Sequence, residues 1–388
     1  MDAGRTRRRL MKGLGGAAFL GASAGVLPLF GTPGKVQSAA TCPSTDLSAS
    51  SRELVVSNWV SYLDPVGEPG STLAQFERET GVTVRYLEDV TDTQSFFAKV
   101  QNQLGSCQPV DRDIFVLTDH MAARMIDLGW LQELDHARLP NVGANLLPAL
   151  REVAFDPGRR YSVPWQSGFT GIAYNARLVP EVRSVAELLR RDDLRGRITL
   201  LTEMRDTMGS LLRAAGADPT GFDDDDWHAA LALVRAARAR GQIRAFTGNE
   251  YTRDLAAGNI AACLAWSGDV IQLQFDDPDI RFVAPEEGLY LWSDNMLVPN
   301  LAAHKANAER WMNHYYDPEV AARVAAAVNY VCPVAGAREA MERIAPELVD
   351  NPLIFPGEEF LGGSFVFMPL DETRGRRYER DFADAIGG

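Results

Sequence analysis

From Leu54 onward the chain alternates short apolar runs with helical segments, and this alternation constrains the fold more than any other feature. Leu54-Val55-Val56-Ser57-Asn58 reads as a strand, residues 73–80 as a helix stopped by Gly81, and Val82-Thr83-Val84-Arg85-Tyr86 as a second strand. Glycine follows a helix because it accepts the left-handed backbone that closes the last turn. A helix over 92–104, an apolar strand Asp113-Ile114-Phe115-Val116-Leu117 and a helix over 120–128 before Gly129 complete a βαβαβ start. Strands that are apolar throughout must be covered on both faces, which predicts an α/β lobe with a mostly parallel sheet.

A second α/β set follows. Tyr161-Ser162-Val163-Pro164-Trp165 leads into Gly168-Phe169-Thr170-Gly171-Ile172-Ala173-Tyr174-Asn175, and this glycine-punctuated change of segment predicts a crossing between lobes. Beyond it come a strand at 197–201, an amphipathic helix over 227–240 stopped by Gly241, and an apolar run at 260–266. Residues 281–299 read as strands, 305–316 and 318–328 as helices, and a tail completes the chain. The run Asp223-Asp224-Asp225-Asp226 is a solvated helix start, where carboxylates complement the dipole, rather than a metal site. Roughly 345 residues beyond the first 40 exceed what one hydrophobic core serves, so two lobes are expected.

Those first 40 residues read as a targeting segment. Thr6-Arg7-Arg8-Arg9-Leu10-Met11-Lys12 precedes a Gly/Ala-rich apolar run and then Ser38-Ala39-Ala40, a small-residue cleavage site. The order of hydroxyl, paired arginines, apolar residues and lysine fits a twin-arginine export signal, and the run is too interrupted for a spanning helix. Cys42 sits where a lipid-bearing cysteine could, but Ala39-Ala40-Thr41 lacks the expected leucine. The segment holds six Lys/Arg and one acid, so its removal takes the formal net charge from −13 to −18. A surplus of acid repels nucleic acid and anionic membranes and permits a cationic ligand, although export and solubility alone also account for it. Cys42, Cys107, Cys263 and Cys332 allow two disulfides in an oxidising compartment, in three connectivities that spacing does not choose among. No CxxC pair exists and the five histidines are scattered, so neither a metal site nor a cofactor is expected.

No G-x-S-x-G elbow, H-E-x-x-H, P-loop or dinucleotide fingerprint is present, which argues against an enzyme. Instead, aromatics and acids stand just past apolar strands, where open α/β sheets bind ligands. Trp59 and Tyr62 follow the first strand, Glu203 and Asp206 follow Thr199-Leu200-Leu201, and Trp266 and Asp269 follow the run at 260–266. Trp292 and Asp294 flank the strand that ends at Pro299. Carboxylates at the charged ends and aromatic faces along the methylenes are what an aliphatic ammonium chain requires. Singly, each tryptophan reads more simply as packing and each acid as solvated or capping; the combination is what points to an amine.

These residues resemble the spermidine/putrescine-binding proteins of bacterial ABC importers, from about Leu54 to the C-terminus. The likeness rests on Ser57-Asn58-Trp59 with Tyr62, on Tyr161-Ser162-Val163-Pro164-Trp165, and on Gly258-Asn259-Ile260-Ala261-Ala262-Cys263-Leu264-Ala265-Trp266-Ser267-Gly268-Asp269. Pro285-Glu286-Glu287-Gly288 with Trp292-Ser293-Asp294, and Asp317-Pro318-Glu319-Val320-Ala321, extend it. The resemblance implies a two-lobed, type II-like periplasmic-binding-protein fold, each lobe a mixed sheet flanked by helices, closing on ligand about a hinge. It implies a first lobe from 52–165 and 267–331, and a second from 166–266 and 332–388. Trp59 and Tyr62 would wall the cleft, Trp266 would stack along the polyamine, and Asp269 and Asp294 would hold an amine beside Trp292. Glu203 and Asp206 correspond to a carboxylate pair of the second lobe. Thr118 and His120 fall where the family places a hydroxyl and often an aromatic, and Tyr330 matches a cleft tyrosine. The partners implied are a polyamine or similar organic cation and the transmembrane subunits of an ABC permease, with the protein a periplasmic monomer.

Two departures from the family stand out. Between Trp59 and Tyr62 the family commonly carries a hydroxyl and an acid, where this chain has Val60-Ser61. His120 replaces an aromatic and adds either pH sensitivity or shape. A receptor for another small solute on the same fold, or a secreted enzyme, are the alternatives.

Overall fold

The computed structural model describes Cys42 and residues 44–387; the expected export signal and its cleavage site lie outside the described residues. The strands are β1 (Glu53–Trp59), β2 (Thr83–Val90), β3 (Ile114–Thr118), β4 (Ser162–Asn175), β5 (Ile198–Leu201), β6 (Ile243–Thr247), β7 (Ala262–Trp266), β8 (Ile280–Val283), β9 (Leu289–Leu297) and β10 (Ser364–Phe365). Helices α1 (Thr72–Thr80), α2 (Thr93–Gly105), α3 (Asp119–Asp127), α4 (Pro140–Asn145) and α5 (Val185–Arg190) belong to the first half. The later helices are α6 (Met204–Ala214), α7 (Asp224–Ala239), α8 (Tyr251–Ala256), α9 (Ser267–Asp276), α10 (Lys305–Tyr315), α11 (Pro318–Val328), α12 (Ala337–Ile344), α13 (Glu358–Gly362) and α14 (Glu372–Ile386).

The strands form one sheet in the order β2-β1-β3-β9-β4-β7-β5-β6, with β10 on β9 and β8 on β4. Each end is a parallel trio, β2-β1-β3 and β7-β5-β6, and between them β9 and β4 run antiparallel to each other and to their outer neighbours. The two trios are the α/β sets read from the sequence. What the sequence reading divided at residue 165 is one continuous strand: β4 is 14 residues long and buried throughout. Its first part pairs with β9 and its last part with β7 and β8, and its register shifts between Pro164 and Gln166, where proline cannot donate to the ladder.

Local signals explain the element ends. Ser71 caps α1 by accepting from the Ala74 amide, and Gly81 closes it with φ of 67°. Asp223 and Asp226 form a capping box at the start of α7, and Asp224 reaches Arg377 and Tyr378 on α14, so the acidic run is a helix start. Asp317 caps α11 ahead of Pro318, and its carboxylate accepts from the amides of Glu319 and Val320. Asp317→Ala is expected to lower unfolding stability by about 1 kcal/mol, measured by urea titration, with unchanged ligand affinity.

Cys42 and Cys107 form a disulfide across 65 residues of chain, whereas Cys263 and Cys332 are buried free thiols. A sulfur bonded to Cys107 cannot also carry a lipid, which removes Cys42 as an anchor. No helix among the described residues is long and apolar enough to cross a membrane. No group of His, Cys, Asp and Glu among them is placed to hold a metal ion.

Candidate functional site

Parallel strands deliver the first set of side chains. Trp59 ends β1, Thr118 ends β3, Trp266 ends β7, and Glu203 lies just beyond β5, so both trios point their carboxyl ends at the middle of the sheet. The antiparallel centre supplies the rest. Trp292 and Asp294 lie on β9, where Asp294 stands opposite Thr118 on one side and Gln166 on the other. Tyr330 follows Asn329, whose left-handed backbone at φ of 61° ends α11.

These side chains form a connected set. The Trp266 Nε1 donates to Asp206 Oδ1 at 2.8 Å, and the Thr170 hydroxyl donates to the same oxygen. Thr170 Oγ1 in turn accepts from Trp292 Nε1 at 3.2 Å. The Trp292 and Tyr330 rings lie 5.5 Å apart, and Tyr330 meets Tyr62 edge to face at 5.4 Å. Such close approach needs glycine beneath the rings: a Cβ on Gly268 would lie 2.6 Å from the Tyr330 ring, and one on Gly168 would collide with Trp292. The Tyr330 hydroxyl donates to Asp269 Oδ1 at 3.0 Å, while Asn249 and Tyr251 donate to Oδ2 at 2.7 and 2.9 Å. Thr118 Oγ1 and His120 Nδ1 are 2.8 Å apart.

Burial decides the electrostatics. Asp294 is 3% exposed, and neither its Oδ1 nor the Tyr62 hydroxyl beside it meets strict hydrogen-bond geometry, although that hydroxyl is near enough to favour the Asp294 charge. Desolvation holds the Asp294 carboxyl well above the usual carboxylate range, and the nearby Asp119, Glu203 and Asp206 push the same way. Desolvation also raises Asp206 to about 6 against the donors Thr170 and Trp266, which favour its charge. Glu203 is pushed up to about 8, first by desolvation and then by Asp206 and Asp92. Glu203, Asp206 and Asp294 make no ion pair among the described residues. The His120 ring is driven well below its ordinary range by desolvation and by Arg205 and Arg124, so it is a neutral partner of Thr118. The same burial keeps the Tyr62, Tyr251 and Tyr330 hydroxyls protonated, as donors. Acids that make no ion pair among the described residues, with only the field of Arg205 acting on Glu203 and Asp206, and walled by aromatic faces, are equipped to take up an organic cation.

Residues 71–356 match the family described as bacterial extracellular solute-binding protein. The chain belongs to that family. It is 28% identical over 346 residues to the putrescine/agmatine-binding protein of Pseudomonas aeruginosa, covering 83% of this chain and 88% of that one. With the spermidine/putrescine-binding periplasmic protein 1 of Haemophilus influenzae it shares 24% identity over 324 residues, 82% and 84% of the two chains. The solved structure of a putative spermidine/putrescine ABC transporter from Listeria monocytogenes superposes with a TM-score of 0.77 at 26% identity, covering 86% of this chain and 99% of the other. The fold is therefore the two-lobed periplasmic-binding-protein fold, in a family of extracytoplasmic solute binders rather than enzymes.

Within this solute-binding protein, ten of the eleven residues singled out from the sequence are tied to the set by contact, strand register or electrostatic reach. Glu203 is tied to the set by electrostatic reach, acting on Asp206 and Asp294. Trp59 stands apart: it packs against both large core clusters, and its buried Nε1 has no partner. Sequence reasoning missed Thr170, Tyr251, Asn249 and Asp119. Thr170 sits in the middle of a buried strand and Tyr251 on a short helix, positions that carry no pattern of their own. Asp119 directly follows strand residue Thr118, the same signal that drew attention to its neighbours. It accepts from Asn295 Nδ2 at 2.7 Å, and desolvation raises it to about 6.

Proposed function

We propose that this solute-binding protein captures a polyamine of the spermidine/putrescine class by lobe closure and delivers it to the transmembrane subunits of an ABC importer. The observation that carries the reading is the group of acids Asp206 and Asp294, buried, and Glu203, half-buried, in no ion pair with any described cation, beside Tyr62, Trp266, Trp292 and Tyr330. An ammonium supplies the missing charge, and the rings cover the methylenes. Of the acids, Asp294 is the principal amine acceptor, because both oxygens of Asp269 already accept from protein donors. Asp269 acts by fixing Tyr330. Trp59, packed on the core cluster that contains Tyr62, backs the Tyr62 wall from outside the connected set, and Thr118 and His120 line the site opposite Asp294.

In this reading the lobes part to admit ligand, and closure desolvates the ammonium–carboxylate pairs, so that mismatched ligands leave charges unpaired. The hinge lies in β4 and β9. The first crossing stays near residue 165, but α9 and β8 pack against β4, which favours moving the return crossing from residue 267 into β9. Helix α12 packs on α11 while α14 packs on α7, which favours a last crossing beyond α12 rather than at 332. The protein works as a monomer, exported to the periplasm through the twin-arginine-type segment.

Calorimetric titration with putrescine, spermidine and spermine, after unfolding and refolding to strip co-purified ligand, is expected to show one-to-one binding of at least one amine. Absence of heat with all three sinks the polyamine reading. The pair Val60-Ser61, in place of a hydroxyl and an acid, favours as second reading a smaller organic amine or amino-acid derivative.

A further inference from the structure

One cation stands among the acids of the site. Arg205 occupies the first turn of α6 between Glu203 and Asp206, half-buried, with its guanidinium 5.8 Å from the centre of the Phe367 ring. It makes no hydrogen bond or ion pair among the described residues, yet Tyr290, Glu379 and Glu203 attract it and Arg124 repels it. Arg124 lies on α3 with its guanidinium 4.1 Å from the centre of the Phe97 ring, and His120 sits between the fields of the two arginines. The α3–α6 side of the site therefore sets two arginines beside the acids Asp119, Glu203 and Asp206, whereas Asp294 and Asp269 lie on the side of Tyr62 and Tyr330.

We propose that Arg205 is a specificity-determining residue, a built-in cation that offsets the carboxylates of α6 so that the site favours an amine with two charges over one with three. The proposal rests on the amine reading given above. A dication places its ammonium groups against Asp294 and toward Asp206; a third ammonium must approach the guanidinium. At an effective dielectric constant of about 20 and a separation of about 6 Å, that approach disfavours the longer amine by roughly a hundredfold before relaxation and screening. Phe367 contributes by holding the guanidinium against its ring, so that the charge does not swing out to solvent.

The test is calorimetric titration of the wild type, Arg205→Met and Arg205→Lys with putrescine, spermidine and γ-aminobutyrate. Expected are a wild-type preference for putrescine over spermidine, a shift of that ratio toward spermidine by about tenfold or more in Arg205→Met, and retention of the ratio in Arg205→Lys. An unchanged ratio in Arg205→Met, or equal loss of both amines, overturns the role of Arg205 and leaves the amine reading standing. Binding of γ-aminobutyrate in preference to putrescine, lost in Arg205→Met, also overturns it, because the guanidinium then recruits a carboxylate. Failure of the wild type to bind either amine removes the underlying reading and this proposal together.

Discussion

Asp294→Asn is expected to weaken amine binding by about 2–5 kcal/mol while leaving the ligand-free protein at least as stable as the wild type. The two halves of this expectation have one cause. Asp294 is buried with an unpartnered oxygen and no described cation, so its charge is unfavourable in the empty protein and is compensated only by ligand. Asparagine keeps the shape and removes the charge. Titration calorimetry measures the first half and urea unfolding the second. Near-normal affinity would remove Asp294 from the site, and loss of binding together with loss of stability would make it structural. Asp269→Ala would be less informative, since it strands the donors Asn249, Tyr251 and Tyr330 and so mixes lost binding with lost support.

Amine affinity is expected to rise with pH, by on the order of a hundredfold between pH 5.5 and 8.5, with protons released on binding. Asp206 and Asp119 at about 6 and Glu203 at about 8 are partly or wholly protonated at the lower pH, and a protonated acid gives an ammonium nothing to pair with. Putrescine keeps both of its charges through nearly all of this window, so with that ligand the titration belongs to the protein. Titration in buffers of different ionisation enthalpy counts the released protons, and a flat affinity with no release would contradict the assignment. The stability of the empty protein should move the other way. Folding raises these groups from ordinary values of 3.8 and 4.5, so their contribution is full below about pH 4 and is lost as pH rises through 6 to 8. The ligand-induced rise in Tm should therefore grow over the same interval.

The chain's local patterns were enough to predict the two α/β sets and most helix boundaries, and they pointed to the amine-type chemistry proposed above. Gly81, the run at Asp223 and the Asp317-Pro318 pair act within one turn of the backbone, so their meaning survives without tertiary context. Buried-type strands followed by Trp or an acid also betray themselves, because the carboxyl end of a parallel strand is where side chains leave the core. Only the tertiary structure decided the remainder. It joined residues 162–175 into one strand, chose Cys107 as the partner of Cys42, and left Cys263 and Cys332 as thiols. It also set Asp269 apart from Asp294, one acid saturated by Asn249, Tyr251 and Tyr330 and the other left with an unpartnered oxygen, and it brought Phe367, Tyr290 and Glu379 to Arg205. Desolvation and pairing depend on groups brought together from distant parts of the chain, and a linear pattern carries the chemical type of each residue but not the company that sets its charge.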